Sequence, residues 1–205
     1  MQVLRSKPTE GTDRMEPDDK TAAGAARDPL VPSPWDSRLF IALRTKGHPR
    51  LLETLLKWYS RAGNYGLFWV GLAAAAWIAG AGSGRGMFIV TLMFVYPTLL
   101  VNFIVKLIVG RQRPVSDDPR LAPLVRVPSS PSFPSSHAAM SFAAAAAMTF
   151  YYSALAPVFY LLAFVMSWTR VYLGIHYPSD VIAGMATGFA CSLIWWLLLA
   201  GWVLG

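Results

Sequence analysis

The sequence has little cysteine, and most of its length has little charge. Cys191 is the single cysteine among 205 residues, so no internal disulfide can form. Charged side chains make up only 14% of the chain, whereas hydrophobic ones make up 55%. Residues 1–62 hold 11 of the 18 Lys and Arg and 8 of the 11 Asp and Glu. The long uncharged stretches that remain exclude an ordinary soluble domain and are typical of helical membrane proteins.

The positive net charge does not indicate a nucleic-acid partner. The formal charge is +7, but no basic patch with interleaved aromatic residues occurs on a soluble module. We interpret the charge as a bias toward one side of a membrane together with a site for an anion. The expected partners are therefore a membrane and an anionic ligand.

Three segments of different character follow one another along the chain. Residues 1–34 mix charged residues, Pro, Gly and Ala without periodicity, which predicts a disordered polar tail. Residues 35–62 place apolar residues near the helical period among basic ones, with a break at His48-Pro49. This pattern predicts amphipathic helices that lie along a membrane surface. Residues 63–205 form the predicted transmembrane domain.

The transmembrane domain contains five apolar runs, each near the length that a membrane-spanning helix needs. Small residues in the first and third runs allow helices to approach closely in lipid. The predicted fold is an all-α integral membrane bundle of five transmembrane helices, preceded by the interfacial helices. The predicted spans are Gly66 to Gly84, Met87 to Gly110, His137 to about Ala156, Pro157 to about Ile175 and Pro178 to about Val203.

A long loop of residues 111–136 joins the second and third spans. It contains six prolines, and loops of this length are usually functional. Asp117 and Asp118 lie in this loop without a nearby His or Cys, so we interpret them as solvated side chains. No metal and no cofactor are predicted.

Ionisable residues at the ends of apolar runs are costly in hydrocarbon and indicate a functional site. Three clusters of this kind occur, and they converge on one face of the membrane if the five spans alternate in direction. The clusters are Lys106 to Pro114, Pro134 to His137 and Arg170 to Asp180.

The residue types in these clusters suit phosphoryl transfer. Lys106, Arg113 and Arg170 are cations that can bind a dianionic phosphoryl group and stabilise its transition state. His176 lies at a predicted helix junction, and Asp180, one turn further on, can reach back to its imidazole. Two of the three histidines lie in the clusters, and hydrolysis of a phosphomonoester needs one to attack phosphorus and one to protonate the leaving oxygen.

Each of these residues alone has a simpler interpretation. Lys106 and Arg113 could extend to the membrane interface, where basic residues are common. Ser135 or Ser136 could be a helix cap, His137 an interfacial residue, and Asp180 a partner of its own helix N-terminus. These interpretations do not explain why all three clusters share one face and why each contains an arginine or a histidine.

Together the clusters resemble the three-part signature of the type 2 phosphatidic acid phosphatase superfamily, which also includes vanadium haloperoxidases. Their order and spacing agree over roughly residues 100–185. The resemblance implies that His176 is a nucleophile forming a phosphohistidine, that Asp180 orients it, and that His137 is the general acid. The phosphate ligands that it implies are Lys106, Arg113, Ser135, Ser136 and Arg170. The matching segments are Lys106-x6-Arg113-Pro114, Pro134-Ser135-Ser136-His137 and Arg170-x5-His176-x3-Asp180.

The chain departs from the family pattern in three respects. Ser136 stands where glycine is usual, and Thr169 stands where serine is usual. Many members have six spans, whereas the first is here replaced by the surface helices. This shortened plan is similar to polyprenyl-phosphate and polyprenyl-diphosphate phosphatases.

The resemblance implies metal-independent hydrolysis of a terminal phosphate on a membrane lipid. A polyprenyl diphosphate or decaprenylphosphoryl-5-phosphoribose is the favoured substrate, with phosphatidic acid or phosphatidylglycerophosphate as the alternative. A haloperoxidase, a non-catalytic membrane scaffold and a transporter are the competing classes. The sequence does not indicate an oligomeric state.

The distribution of basic residues predicts the side of the membrane on which the site lies. With five spans, the N-terminal region and the long loop share the side of the three clusters, and they hold nearly all the Lys and Arg. The positive-inside rule places that side in the cytoplasm of a multi-pass plasma-membrane protein.

Overall fold

The structure is a computed structural model, and it describes three stretches of the chain. Almost all of the predicted tail, as well as His48, Asp117 and Asp118, lies outside them. The segment boundaries at residues 34 and 62 therefore stay predictions. The described residues are 32–45, 49–114 and 121–204.

Within the described stretches the chain is helical and contains no β-strand, which confirms the all-α class. Single 3-10 turns at Asn64–Gly66 and Ser153–Leu155 precede two of the helices. The helices are α1 (Pro34–Thr45), α2 (Arg50–Ala62), α3 (Leu67–Ile78), α4 (Gly84–Val109), α5 (Ser136–Tyr151), α6 (Ala156–Tyr172) and α7 (Pro178–Leu204).

Three helical segments of the described chain are long and apolar enough to cross a membrane. Large apolar side chains on them are exposed, for example Leu100, Leu161 and Leu197. Lipid rather than water suits such surfaces, so the structure supports an integral membrane protein. The three segments are Gly84–Val109, Ser153–Tyr172 and Pro178–Leu199.

The first predicted span is shorter than expected. Helix α3 has 12 residues and is about 18 Å long, which is less than the roughly 30 Å of bilayer hydrocarbon. It ends at Ile78, and Gly80 then adopts φ +74° in the turn toward α4. Gly84 begins α4 instead of ending the first span. The total of five spans therefore stays a prediction.

Helix α5 lies at the centre of the bundle, between α4, α6 and α7. Its residues from Ala138 to Ala145 are all buried. On α7, a Cβ at Gly184 would meet the carbonyl oxygen of Ser135, and one at Gly188 would meet that of Ala139. The backbones of α5 and α7 are therefore in direct contact, as small residues permit in membrane bundles.

Helices α1 and α2 occupy the segment predicted to be interfacial, and Pro49 precedes α2. On α2, Leu51, Leu55 and Trp58 form an exposed apolar stripe, while Leu56 and Ser60 are buried. A helix with an apolar outer stripe and basic residues beside it is typical of a membrane surface.

Candidate active site

A cavity of ≈ 260 Å³ lies where α4 and α6 end and α5 and α7 begin. The structure thus brings the three polar clusters together. Asp180 and Ser135 are buried outside the cavity lining. The other six predicted site residues line it: Lys106, Arg113, Ser136, His137, Arg170 and His176.

His176 lies in the connection between α6 and α7. Helix α6 ends at Tyr172, three residues before the predicted end, because the chain turns at Gly174 with φ +80°. This left-handed conformation strongly favours glycine. Pro178 begins α7 as predicted. The turn leaves the imidazole buried and one face of it on the cavity.

The contacts of His176 distinguish its two ring nitrogens. Nδ1 lies 3.5 Å from Oδ2 of Asp180 and 3.4 Å from Oγ of Ser132. The Ser132 hydroxyl donates its own proton to Asp180, so neither Ser132 nor Asp180 has a proton to donate to the ring. The proton between the ring and these two side chains therefore belongs to Nδ1. Nε2 is then unprotonated and accepts a 3.0 Å hydrogen bond from Nη1 of Arg113.

Burial lowers the pKa of His176, and together with the opposing hydrogen bond to Asp180 and the nearby charge of Arg113 it leaves the pKa at about 3. The imidazole is therefore neutral at physiological pH, as a nitrogen nucleophile must be. Burial also lowers the pKa of Arg113, to about 10. Arg113 therefore keeps its charge at the same pH.

Asp180 has two structural roles at once. Its Oδ2 accepts a hydrogen bond of 2.8 Å from the backbone N–H of Tyr177, and the same oxygen faces Nδ1 of His176. Its Oδ1 accepts a hydrogen bond of 2.7 Å from Arg111. The simpler interpretation, that Asp180 serves only its own helix, does not explain its contacts with His176 and Arg111.

Three buried cations surround the cavity, and part of their hydrogen-bonding capacity is already used. Nζ of Lys106 donates to the carbonyl of Pro131 at 2.7 Å and to that of Ser132 at 3.2 Å, so one of its three protons stays free for a ligand. All five N–H groups of Arg113 have protein partners, among them the carbonyls of Ser130 and Ile175, both at 2.9 Å, so this side chain offers the cavity mainly its charge. Arg170 donates to the hydroxyl of Ser60.

The first residues of α5 contribute to the cavity in different ways. Nε2 of His137 donates to the carbonyl of Ser60 at 3.2 Å. The Ser136 hydroxyl donates to Oδ1 of Asn102 at 2.7 Å, so its proton points away from any phosphate. The Ser135 side chain is buried and has no partner among the described residues, while its N–H donates to the Asp180 carbonyl at 2.9 Å.

Sequence reasoning did not identify a buried ion pair behind Asp180. Arg111 bridges Asp180 and Asp36 of α1, with Nη2 2.8 Å from the Asp36 carboxylate. Asp36 also accepts hydrogen bonds from the N–H and the hydroxyl of Ser179, at 2.9 and 2.5 Å. Helix α1 is thereby tied to the start of α7.

A signal for Asp36 was present in the sequence. Asp36, Phe40 and Arg44 recur every four residues and are all buried, so they form the inner face of α1. Arg111 lies at the end of an apolar run, where an ionisable residue indicates a functional site. No sequence pattern identifies Ser60 or Ser132, because their contacts depend on folding.

Among the described residues, no group of three or more His, Cys, Asp or Glu could hold a metal ion. The independence from metals and cofactors stays a prediction.

The chain shows clear similarity to known proteins. The family model of the PAP2 superfamily matches residues 85–203. A decaprenylphosphoryl-5-phosphoribose phosphatase of Mycolicibacterium smegmatis is 36% identical over 138 residues, which cover 67% of this chain and 73% of that protein. The protein of the same name from Mycobacterium tuberculosis (strain CDC 1551 / Oshkosh) is 42% identical over 94 residues. That match covers 46% of this chain and 51% of the relative, so the chain spans about half of its length.

A solved structure shares the fold. The PAP2 type phosphatidylglycerolphosphate phosphatase from Bacillus subtilis superposes with a TM-score of 0.62 at 20% identity, covering 80% of this chain and 85% of that chain. The family match includes all eight predicted site residues and more than half of the sequence. The chain therefore belongs to the PAP2 superfamily.

Proposed function

We propose that this protein is a membrane phosphatase that removes a terminal phosphate from a lipid-linked substrate through a phosphohistidine intermediate. One observation carries the proposal: His176 borders a cavity lined by three cations, with its Nε2 bonded to one of them, Arg113, and its Nδ1 facing the Asp180 carboxylate. A neutral imidazole held in this tautomer is a competent nucleophile toward a phosphate whose charge the cations balance.

In the first step, Nε2 of His176 forms a bond to phosphorus while the bond from phosphorus to the leaving oxygen breaks. The leaving oxygen, which belongs to the ribose hydroxyl or to the polyprenyl phosphate, takes a proton from His137. Because Nε2 of His137 donates to the Ser60 carbonyl, the proton that it transfers is a second one on Nδ1, which the imidazole takes up together with the dianionic substrate. Asp180 stabilises the positive charge that develops on His176.

In the second step, water attacks the phosphorus of the phosphohistidine. His137, now neutral, accepts a proton from that water as the bond from Nε2 to phosphorus breaks. Inorganic phosphate leaves, and both histidines return to their starting protonation states. Lys106, Arg113 and Arg170 neutralise the equatorial oxygens throughout, and the N–H groups at the start of α5 can add to this.

The proposed substrate is a polyprenyl-linked phosphate, either decaprenylphosphoryl-5-phosphoribose or a polyprenyl diphosphate. The names of the mycobacterial relatives support the first. The cavity lies at the ends of the apolar helices, where a lipid headgroup has direct access from the bilayer. Phosphatidic acid and phosphatidylglycerophosphate are the alternative substrates.

The decisive experiment measures phosphate release from a panel of these lipids by the purified protein, with EDTA present. The wild type should be active, and His176→Ala should lower kcat by about 10⁴-fold or more. Activity that survives this substitution, or that EDTA abolishes, contradicts the mechanism. A membrane scaffold or transporter would keep its role with alanine at this position, and halide oxidation after addition of vanadate would indicate a haloperoxidase.

We also propose that the site faces the cytoplasm across the plasma membrane, on the basis of the basic residues on that side. Ser129 is exposed in the loop before α5, and the native Cys191 is buried. A Ser129→Cys variant in intact cells should resist a membrane-impermeant maleimide and react only after permeabilisation. Labelling of intact cells would place the site outside.

A further inference from the structure

A second cavity adjoins the candidate active site. Its volume is ≈ 550 Å³, about twice that of the first. Asn64, Pro128 and Arg170 line both cavities, so the two spaces meet at these residues. The residues that carry the proposed chemistry line the smaller cavity, and the larger one has no role in that reaction.

The second cavity is basic. Lys57, Arg61 and Arg126 line it together with Arg170, and none of the described residues in its lining is acidic. Lys57 pairs with Glu53 at 2.5 Å, which offsets part of this charge. Arg61 and Arg126 line the cavity and are exposed, and arginine is the side chain best suited to bind phosphate oxygens.

Helix α2 supplies one wall of this cavity. Ser60 lies on the buried side of the helix, Lys57 is partly buried, and Arg61 is exposed beside Trp58 of the outer stripe, in which Leu51 and Leu55 are also exposed. An amphipathic helix with such an outer stripe lies at the depth of lipid headgroups. The cavity therefore opens where the polar part of a membrane lipid is found.

Arg170 connects this cavity to the proposed reaction. It lines both spaces and is held by the Ser60 hydroxyl of α2. A ligand with one phosphate among Lys106, Arg113 and Arg170 can therefore extend past Arg170 and place a second anionic group near Arg126.

We propose that the second cavity binds a non-reacting phosphate diester of the substrate, separated from the reacting phosphate by a spacer the size of a sugar. This inference rests on the proposed function and narrows it. A lipid whose phosphodiester joins a sugar that carries the terminal phosphate fits both cavities. In a polyprenyl diphosphate the two phosphates are adjacent, so both remain in the smaller cavity. Bilayer lipids with anionic headgroups offer the same chemistry and are the competing source.

The first test compares two substrates in neutral detergent. One is a short-chain prenylphosphoryl-5-phosphoribose, and the other is a short-chain phosphatidic acid with a single phosphate. Arg126→Ala and Arg61→Ala should each raise KM for the first by about tenfold, as loss of a charge-assisted contact does. KM for phosphatidic acid should change by less than about twofold. Arg50→Ala is the matched control, because Arg50 is exposed on α2 outside the cavity.

The second test does not depend on turnover. A short-chain prenylphosphoryl ribose, which carries only the non-reacting phosphate, should bind His176→Ala protein in detergent. Adding Arg126→Ala should weaken this binding by about tenfold, whereas adding Arg50→Ala should not. Equal binding by both double variants contradicts the proposal even if no phosphatase activity is found.

The outcomes separate the two proposals and the two sources of phosphate. If the wild type releases phosphate from neither lipid, the proposed function is contradicted. The binding experiment then still tests whether the second cavity binds a phosphate diester. If the wild type hydrolyses both lipids and Arg126→Ala raises KM equally for each, only the proposal for the second cavity is contradicted. If the substitution matters in vesicles with anionic lipid but not in neutral detergent, the cavity binds bilayer lipid and the substrate proposal is wrong.

Discussion

The N-terminal helices and the rest of the bundle contribute to the site in different ways. Helices α4 to α7 and the loop within them carry all eight residues proposed to act on phosphate, and the family match covers this region. Helices α1 and α2 lie outside the match, yet Asp36 and Ser60 contact Arg111, Arg170 and His137. The reacting groups therefore belong to one region, and part of their positioning belongs to the other.

After His176, the largest effect of a single change is expected for the proposed general acid in the C-terminal region. His137→Ala should lower kcat on a lipid alcohol phosphate by about 10²–10⁴-fold, because the leaving oxygen then departs without a proton. The loss should be much smaller for p-nitrophenyl phosphate, whose leaving oxygen is weakly basic. Equal losses on the two substrates would show that His137 has another role.

The next largest effect should come from the N-terminal region. Asp36 and Arg111 are almost fully buried, so Asp36→Asn should lower the free energy of unfolding by about 3–5 kcal/mol. Arg111 then keeps only one of its two carboxylate partners, Asp180. We therefore expect kcat, counted per folded active site, to fall by about tenfold with little change in KM. Arg38→Ala, at an exposed position of α1, should change neither quantity. A lower yield of folded protein with unchanged kcat per site would indicate a purely structural role.

A change of pH tests the burial of His176 directly. Its pKa is about 3 in the folded protein and near 6.5 when unfolded, so between these values the unfolded chain binds the extra proton. Stability that is present above pH 6.5 is therefore lost on acidification. From about pH 7 to about pH 5 the wild type should lose about 2 kcal/mol more than His176→Gln. Equal losses of unfolding free energy for the wild type and His176→Gln, measured by thermal or chemical unfolding, would contradict this.

Ser60 and Thr54 offer a matched pair of hydroxyl groups on α2. Ser60→Ala removes the hydroxyl partner of Arg170 and should raise KM by about tenfold. Thr54 is exposed and donates only to the Arg50 carbonyl of its own helix, so Thr54→Ala should leave KM unchanged. Similar KM values for both variants would show that α2 does not position Arg170.

The smallest effect is expected at the position where the chain departs from its family. The Ser136 hydroxyl donates to Asn102, so it cannot donate the same proton to a phosphate. Ser136→Gly should therefore change kcat/KM by less than about threefold. A larger loss would mean that the hydroxyl binds substrate.

The features that were predicted correctly from the sequence are mostly those that depend on neighbouring residues, such as helices and turns. Periodicity and apolar length gave the helices, and the turn at Gly174 followed by Pro178 gave the junction that holds His176. The spacing of Asp180 from His176 predicted their contact because four residues make about one helical turn. The order of the three clusters predicted that their cations would meet.

Other features could not be predicted from local patterns. Helix α3 ends early because the chain already turns at Gly80, the first glycine of the stretch 80–84, whereas the sequence pattern left the exact start of that Gly/Ser turn open. The contacts of Ser60 and Ser132 join positions far apart in the sequence, and serine is too common to indicate them. Ser135 is buried outside the cavity lining, where its backbone contacts Asp180 and Gly184 of α7.

The close contact of α5 with α7 has a consequence for the two histidines. His137 is the second residue of α5, and His176 lies two residues before α7, so the gap between the proposed general acid and the proposed nucleophile is set by how near these two backbones come. Gly184 and Gly188 permit that approach. A single methyl group added at either glycine would separate the helices and spoil proton delivery, although neither position ever meets the phosphate.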